Sequence, residues 1–174
     1  MNDKLEIERK FIIKMPNFAF LQTMADYKKS EIVQTYLTSE RGCTERVRKR
    51  AFGDAVSYYH TRKQRVDAMT CIEEEKEIDR AEYDRLLLRA CPASRPIIKT
   101  RHTFSFGTHT VEIDKYLLWD RIAVLEVELP SCECELNLPD FLEVLFEATG
   151  DFSLSNASLA KHFPSEDDLI KNHL

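Results

Sequence analysis

The sequence predicts a mainly β fold of the α+β class, eight strands rolled into a barrel with helices packed on its outside. Three observations predict it. Eight short runs are rich in Val, Ile, Thr, Tyr and Phe; seven of them alternate charged and apolar residues with period two; and three apolar stripes at helical spacing need a surface to cover. The strands are placed at residues 3–14, 31–38, 44–51, 55–65, 70–78, 96–105, 108–117 and 122–129.

The first strand contains LEIERKFII, residues 5–13. Side chains alternate across a strand, so Glu6, Glu8 and Lys10 share one side while Leu5, Ile7 and Phe11 share the other. Pro16 opens a helix with Phe18, Leu21 and Met24 in its stripe. In TERVRKR, 44–50, Arg46, Arg48 and Arg50 share a face; FGD at 52–54 supplies a hairpin glycine; Thr61, Lys63 and Arg65 then align in YYHTRKQR, 58–65. IEEEKEI, 72–78, places Glu73, Glu75 and Glu77 together. Asp79 caps the second helix, with Glu82 completing a capping-box pattern ahead of Leu86, Leu87 and Leu88.

KTR at 99–101 adds Lys99 and Arg101, and FGT at 106–108 marks another hairpin. Glu112 and Asp114 pair up in TVEIDKY, 110–116, as do Glu126 and Glu128 in VLEVEL, 124–129. Pro139 opens the third predicted helix, through Phe141, Leu142, Leu145 and Phe146 to Gly150. From Ser165 the chain reads as a loosely packed tail, so the organisation is one domain, 1–164, and a tail, 165–174. No repeat or flexible linker divides it.

At 174 residues the chain can bury a real core. Charged residues make up 32%, above the usual quarter, yet the formal charge is -5. An acidic molecule has no general attraction to nucleic acid or an anionic membrane, so any anion must be held by a local basic site. The basic run RVRKR, 46–50, could pass for an RNA-binding signal; interleaved carboxylates argue against it. No apolar leader or span-length run occurs, which reads as a soluble, cytoplasmic protein. The five cysteines are odd in number and scattered, so reduced thiols are expected, and Cys132 and Cys134 lack partners for a zinc site.

One alternating strand is an ordinary half-exposed sheet; seven are different. If the helices cover the apolar faces, the charged faces line the interior, which must then be wet, internally paired or filled, because unpaired buried charge costs several kcal/mol per ion. Clustered carboxylates suit Mg²⁺ or Mn²⁺, and clustered Arg and Lys suit phosphate oxygens. Together they point to a metal-bound polyphosphate.

EIERK at 6–10 resembles the ExExK signature of the CYTH domain, the triphosphate tunnel metalloenzyme family. RVR at 46–48, the Lys63 strand, EKE at 75–77, KTR at 99–101, EID at 112–114 and EVE at 126–128 resemble the family's later charged strands in order, over about residues 4–160. The resemblance implies a closed eight-stranded antiparallel barrel whose tunnel binds triphosphates with Mg²⁺ or Mn²⁺. It assigns Lys10, Arg46, Arg48, Lys63, Lys99 and Arg101 to the phosphates, with Arg50 and Arg65 as weaker matches. Glu6, Glu8, Glu126 and Glu128 are assigned to the principal metal, and Glu75, Glu77 and Asp114 to a second metal or the attacking water; Lys99, Glu75 and Glu77 are the candidate catalytic groups. The chain departs from the pattern in LSNASLA, 154–160, where Leu154 and Ser155 replace a family-typical Tyr or Lys before Asn.

No Ser-His-Asp or Cys-His arrangement and no P-loop glycine motif is apparent. Divalent-metal-dependent triphosphate hydrolysis needs neither. Inorganic tripolyphosphate is the expected substrate, ahead of a class IV adenylate cyclase acting on ATP, a thiamine triphosphatase, and a non-catalytic polyphosphate-binding module. The expected partner is the small-molecule substrate, with a homodimer through the outer wall left open.

Overall fold

The computed structural model describes residues 4–40, 42–66, 70–131 and 133–173. In chain order it contains β1 (Lys4–Lys14), α1 (Phe18–Leu21), β2 (Lys28–Tyr36), β3 (Cys43–Phe52), β4 (Ala55–Arg65), β5 (Thr70–Ile78), α2 (Arg80–Leu87), β6 (Ile97–Phe106), β7 (His109–Tyr116), β8 (Ile122–Glu128) and β9 (Val144–Glu147). A 3₁₀ turn (Phe152–Leu154), α3 (Asn156–Leu159) and α4 (Glu166–His173) follow. All eight predicted strands are present. Gly53 and Gly107 take φ of 56° and 59° in two-residue hairpin loops, a conformation that suits glycine.

Among the described residues the sheet is antiparallel in every pairing and has nine strands rather than eight, in the order β5-β4-β3-β2-β6-β7-β8-β1-β9. β1 also pairs with β5, at the far end of that order, through Lys4–Ile7. The ninth strand replaces most of the third predicted helix. Val144 and Phe146 pair with Ile13 and Ile12, and Arg9 donates two bonds to Glu147, at 2.8 and 2.6 Å. An edge of β1 offered unpaired backbone groups, and satisfying them outweighed a helical pattern in the sequence.

The helices sit where their caps allow. Asp79 accepts from the Glu82 amide at 2.8 Å, as predicted, and Asn17 accepts from Ala19 at 3.0 Å, but α1 stops at Leu21, short of Met24. Two apolar clusters lie on the outer face of the sheet. Phe11, Ile13, Leu21, Phe104, Val111, Ile113 and Leu125 form one with Leu142; Leu37 and Val47 form the other with Tyr83 and Leu86 of α2.

A third cluster lies on the opposite face, at one end. Ile12, Tyr36, Ile97, Tyr116 and Val124 each stand two residues beyond a polar residue of the same face: Lys10, Gln34, Lys99, Asp114 and Glu126. Leu154, Leu159 and Leu169 of the C-terminal segment pack against them. The expected loose tail is therefore a packed helix, α4. Leu169 is buried, worth about 1.5–3 kcal/mol, and Glu166 accepts the amides of Asp120, Arg121 and Ile122 at 2.9, 2.6 and 3.1 Å. Among the described residues no helix is long and apolar enough to cross a membrane.

His102, on the outer face of β6, stacks on Phe18 at 4.1 Å and shares a 2.8 Å hydrogen bond with the Tyr27 hydroxyl. Burial, then Lys29, lowers its pKa to about 4, with Lys115 pulling the same way and Glu31 and Asp114 opposing. The unfolded chain therefore takes up this proton first as pH falls from 6.5 to 4, and stability declines through that window. His102→Gln should flatten the decline in the urea midpoint between pH 6.5 and 4; an unchanged slope would refute the assignment.

Candidate active site

The charged faces converge on a cavity of about 820 Å³. Its cations are Lys10, Arg46, Arg48, Arg50, Lys63, Lys99 and Arg101, and its carboxylates are Glu8, Glu73, Glu75, Glu112, Glu126 and Glu128. The lining thus carries seven positive and six negative groups, although the chain as a whole is acidic. That local balance is what an anion site in an acidic protein requires.

Strand register decides which charges meet. Lys10 lies opposite Glu126, Lys63 opposite Glu73 and Arg101 opposite Asp114. The first two pairs close at 3.0 and 3.1 Å. Arg101 reaches Asp114 through Nε and Nη2, both at 2.7 Å, Glu126 at 2.9 Å, and Glu112. Lys99 donates to Asp114; Arg48 and the Thr61 hydroxyl, the latter at 2.9 Å, donate to Glu75. Glu8 lies opposite Glu128 and Glu112 opposite Glu126, like-charge juxtapositions that cost stability and so call for a cation nearby.

Burial would push the Glu126 carboxyl upward, but Lys10, Arg101 and Lys99 hold it well below the carboxylate range. Asp114 is lowered against the same burial by Arg101 and Lys99. Glu112 goes the other way, raised by burial beyond what Arg101 offsets. Burial and the neighbouring Arg101 bring Lys99 down to about 8. Lys10 remains raised, because Glu126 and Glu8 outweigh its burial.

Two buried donors stand unused. Arg46 Nε and Arg48 Nε have no hydrogen-bond partner among the described residues. Arg46 instead lies 3.7 Å from Glu73, and the Arg48 guanidinium sits 5.7 Å from the Tyr59 ring centroid. An unmet buried N–H costs about 1–3 kcal/mol, so an incoming acceptor would be favoured here.

The cavity gathers Lys10, Arg46, Arg48, Lys63, Lys99, Arg101, Glu8, Glu75, Glu126 and Glu128 of the predicted set, together with Arg50, Glu73 and Glu112. Two candidates differ, and two more have side chains outside the described residues. Asp114 is 1% exposed and lies behind the wall with both oxygens held by Lys99 and Arg101. Glu77 is exposed near the end of β5 and is not part of the lining. The side chains of Glu6 and Arg65 lie outside the described residues. Gln34 and Tyr36 line the cavity without having been predicted, since β2 shows no charge alternation and on that face carries a charge only at its first residue, Lys28. Leu154 turns into the apolar cluster, while Ser155 and Asn156 reach the cavity wall, where Asn156 accepts from the Tyr116 hydroxyl at 2.6 Å.

The carboxylates Glu8, Glu126 and Glu128 fit a hard divalent cation by donor chemistry. Among the described residues no three acidic, His or Cys groups form a ready-made metal cluster. Glu126 is instead occupied by Lys10 and Arg101.

No protein-family model matches the chain, and no curated protein matches it in sequence. Solved structures do match in three dimensions. The inorganic triphosphatase NE1496 is 24% identical over 92% of this chain and 97% of its own, with a TM-score of 0.58. PH1819 from Pyrococcus horikoshii OT3 is 20% identical over 74% of this chain and 79% of its own, with a TM-score of 0.59. HpAC1 from Hippeastrum, an adenylyl cyclase candidate with a dominant triphosphatase activity, is 12% identical over 95% and 96%, with a TM-score of 0.53.

Proposed function

The chain shares the fold of the CYTH, or triphosphate tunnel, family, and on that premise we propose that it is a divalent-metal-dependent triphosphatase acting on inorganic tripolyphosphate inside the cavity. One observation carries the reading: seven cations converge on a cavity in which the buried Nε–H groups of Arg46 and Arg48 have no acceptor among the described residues. We take the β1–β5 pairing over Lys4–Ile7 as the seam that closes eight strands into a tunnel, with β9 added outside that ring.

Phosphate oxygens would draw Lys10, Arg46, Arg48 and Lys63 away from their carboxylates and would also be met by Lys99 and Arg101, which stay anchored on Asp114. Arg binds by its fork and Lys as a point charge. Glu8, Glu126 and Glu128 would hold Mg²⁺ or Mn²⁺, which when bound supplies Lewis acidity at a phosphate oxygen. Glu6 joins them only by the sequence resemblance. Glu75, once released by Arg48 and steadied by Thr61, would accept the proton of the attacking water. Lys99 faces the charge that develops on the leaving phosphate, and Asp114 serves as the anchor that orients Lys99 and Arg101. The exposed Glu77 has no step to perform.

NE1496 is an inorganic triphosphatase, which supports hydrolysis over cyclisation. The purified protein should release phosphate from tripolyphosphate in Mg²⁺ or Mn²⁺ faster than from ATP or thiamine triphosphate. Glu8→Gln should abolish that release. Cyclic AMP from ATP would replace this reading with the cyclase, and tight binding without any product would replace it with a polyphosphate-binding module.

A further inference from the structure

Gln34 and Tyr36 are two of the cavity residues that no charge pattern announced. Both are buried, at 1% and 8% exposure, and both line the wall formed by β2. Register places Tyr36 opposite Arg46 and Gln34 opposite Arg48, the two arginines whose Nε groups lack partners.

The hydroxyl of Tyr36 has a defined task left over. Its oxygen accepts from Gln34 Nε2 at 2.9 Å, and Arg46, opposite it in register, can only donate and so cannot take its proton. The hydroxyl hydrogen has no acceptor among the described residues, and burial raises the phenol above its usual range, so the proton stays in place at neutral pH. Tyr36 O–H, Arg46 Nε–H and Arg48 Nε–H make three unmet donors on adjacent strands, with no carboxylate contributed by β2 to absorb them.

Resting on the triphosphatase reading, we propose that Tyr36 is a further substrate-binding residue, donating its hydroxyl proton to a phosphate oxygen beside Arg46 and Arg48, with Gln34 as the positioning residue that fixes the hydroxyl. A multiply charged oxyanion is the ligand class that can accept three converging donors at once. The pair would set how well a phosphate group is gripped at that wall, a neutral supplement to the arginines.

Tripolyphosphate binding is measured by calorimetry in EDTA, so that no metal contributes. Tyr36→Phe keeps the ring in its apolar cluster and removes the hydroxyl, both the donor and the oxygen that Gln34 holds. It should weaken binding by about tenfold, the scale of one hydrogen bond to a charged group. Gln34→Leu should weaken binding in the wild-type background and have no further effect when Tyr36 is already Phe, a coupling that simple packing damage would not produce. Steady-state assays should show the loss in KM with kcat retained.

Wild-type affinity in a folded Tyr36→Phe protein overturns the inference; it is also the result expected if the Gln34 amide sat the other way and accepted the tyrosine proton. If Tyr36→Phe does not fold, Gln34→Leu decides, and unchanged affinity there overturns the inference equally. Failure of the wild type to bind tripolyphosphate refutes the triphosphatase reading itself, a result distinguishable from both.

Discussion

Arg101→Leu is expected to lose about 3–5 kcal/mol of stability at neutral pH, the largest effect of any single substitution in the cavity, measured by urea unfolding. The guanidinium bridges Asp114, Glu112 and Glu126, which come from two neighbouring strands, and its side chain is only 12% exposed. Leucine fills much of the space but leaves three carboxylates facing one another, with Lys99 and Lys10 among the described residues to offset them. The pH dependence follows from the same contacts. Asp114 and Glu126 are held below their ordinary values, so they stabilise the wild type above the usual carboxylate range and that contribution is lost as pH falls through the lowered values. Without Arg101 those carboxyls move upward and protonate readily. The deficit of the variant should therefore shrink in acid. A deficit below about 1 kcal/mol, the scale of an exposed ion pair, would contradict the role given to Arg101. Arg101→Lys should recover part of the loss, since a point charge cannot engage three carboxylates in a fixed fork.

Metal and polyphosphate should bind with positive coupling. In the free protein Glu126 is taken by Lys10 and Arg101, and Glu75 by Arg48. A divalent cation arriving alone must compete with these built-in cations, and a polyphosphate arriving alone must compete with the carboxylates. Each ligand breaks the ion pairs that obstruct the other. A coupling free energy of about 1–3 kcal/mol corresponds to roughly 5–150-fold tighter Mn²⁺ binding once tripolyphosphate is present, with the reciprocal effect on tripolyphosphate. Titrating each ligand with and without saturating amounts of the other checks this, after correction for Mn²⁺–tripolyphosphate association in solution. Lys10→Met removes one obstruction, so it should strengthen Mn²⁺ binding to the free protein and reduce the coupling. Independent binding, with the same affinity either way, would mean that the ion pairs do not restrain the site.

The charged faces were legible because period-two alternation in β1 and β3–β8 is a local property of each strand. Which charge meets which was not. The contact of Arg101 with Asp114, Glu112 and Glu126 depends on the register of three strands, and register is set by the whole sheet. Asp114 has the right parity for the cavity but lies too deep, behind Lys99 and Arg101. Glu77 has the right parity too, yet it sits next to the last residue of β5, where the wall ends. The segment at 141–147 misleads because Phe141, Leu142, Leu145 and Phe146 satisfy a helical spacing, while Val144 and Phe146 equally suit a strand. Only the open edge of β1 decides between them. Gln34 and Tyr36 left no charge signal; the clue available was an uncharged polar residue and a tyrosine two positions apart on the one strand without charge alternation.

The most direct test of the cavity as a triphosphate site is a calorimetric titration of tripolyphosphate into the metal-free protein, beside Arg48→Gln. Saturable binding at one site per chain, weakened at least tenfold in the variant, is the predicted result. No saturable binding, or binding that the variant leaves unchanged, would contradict it.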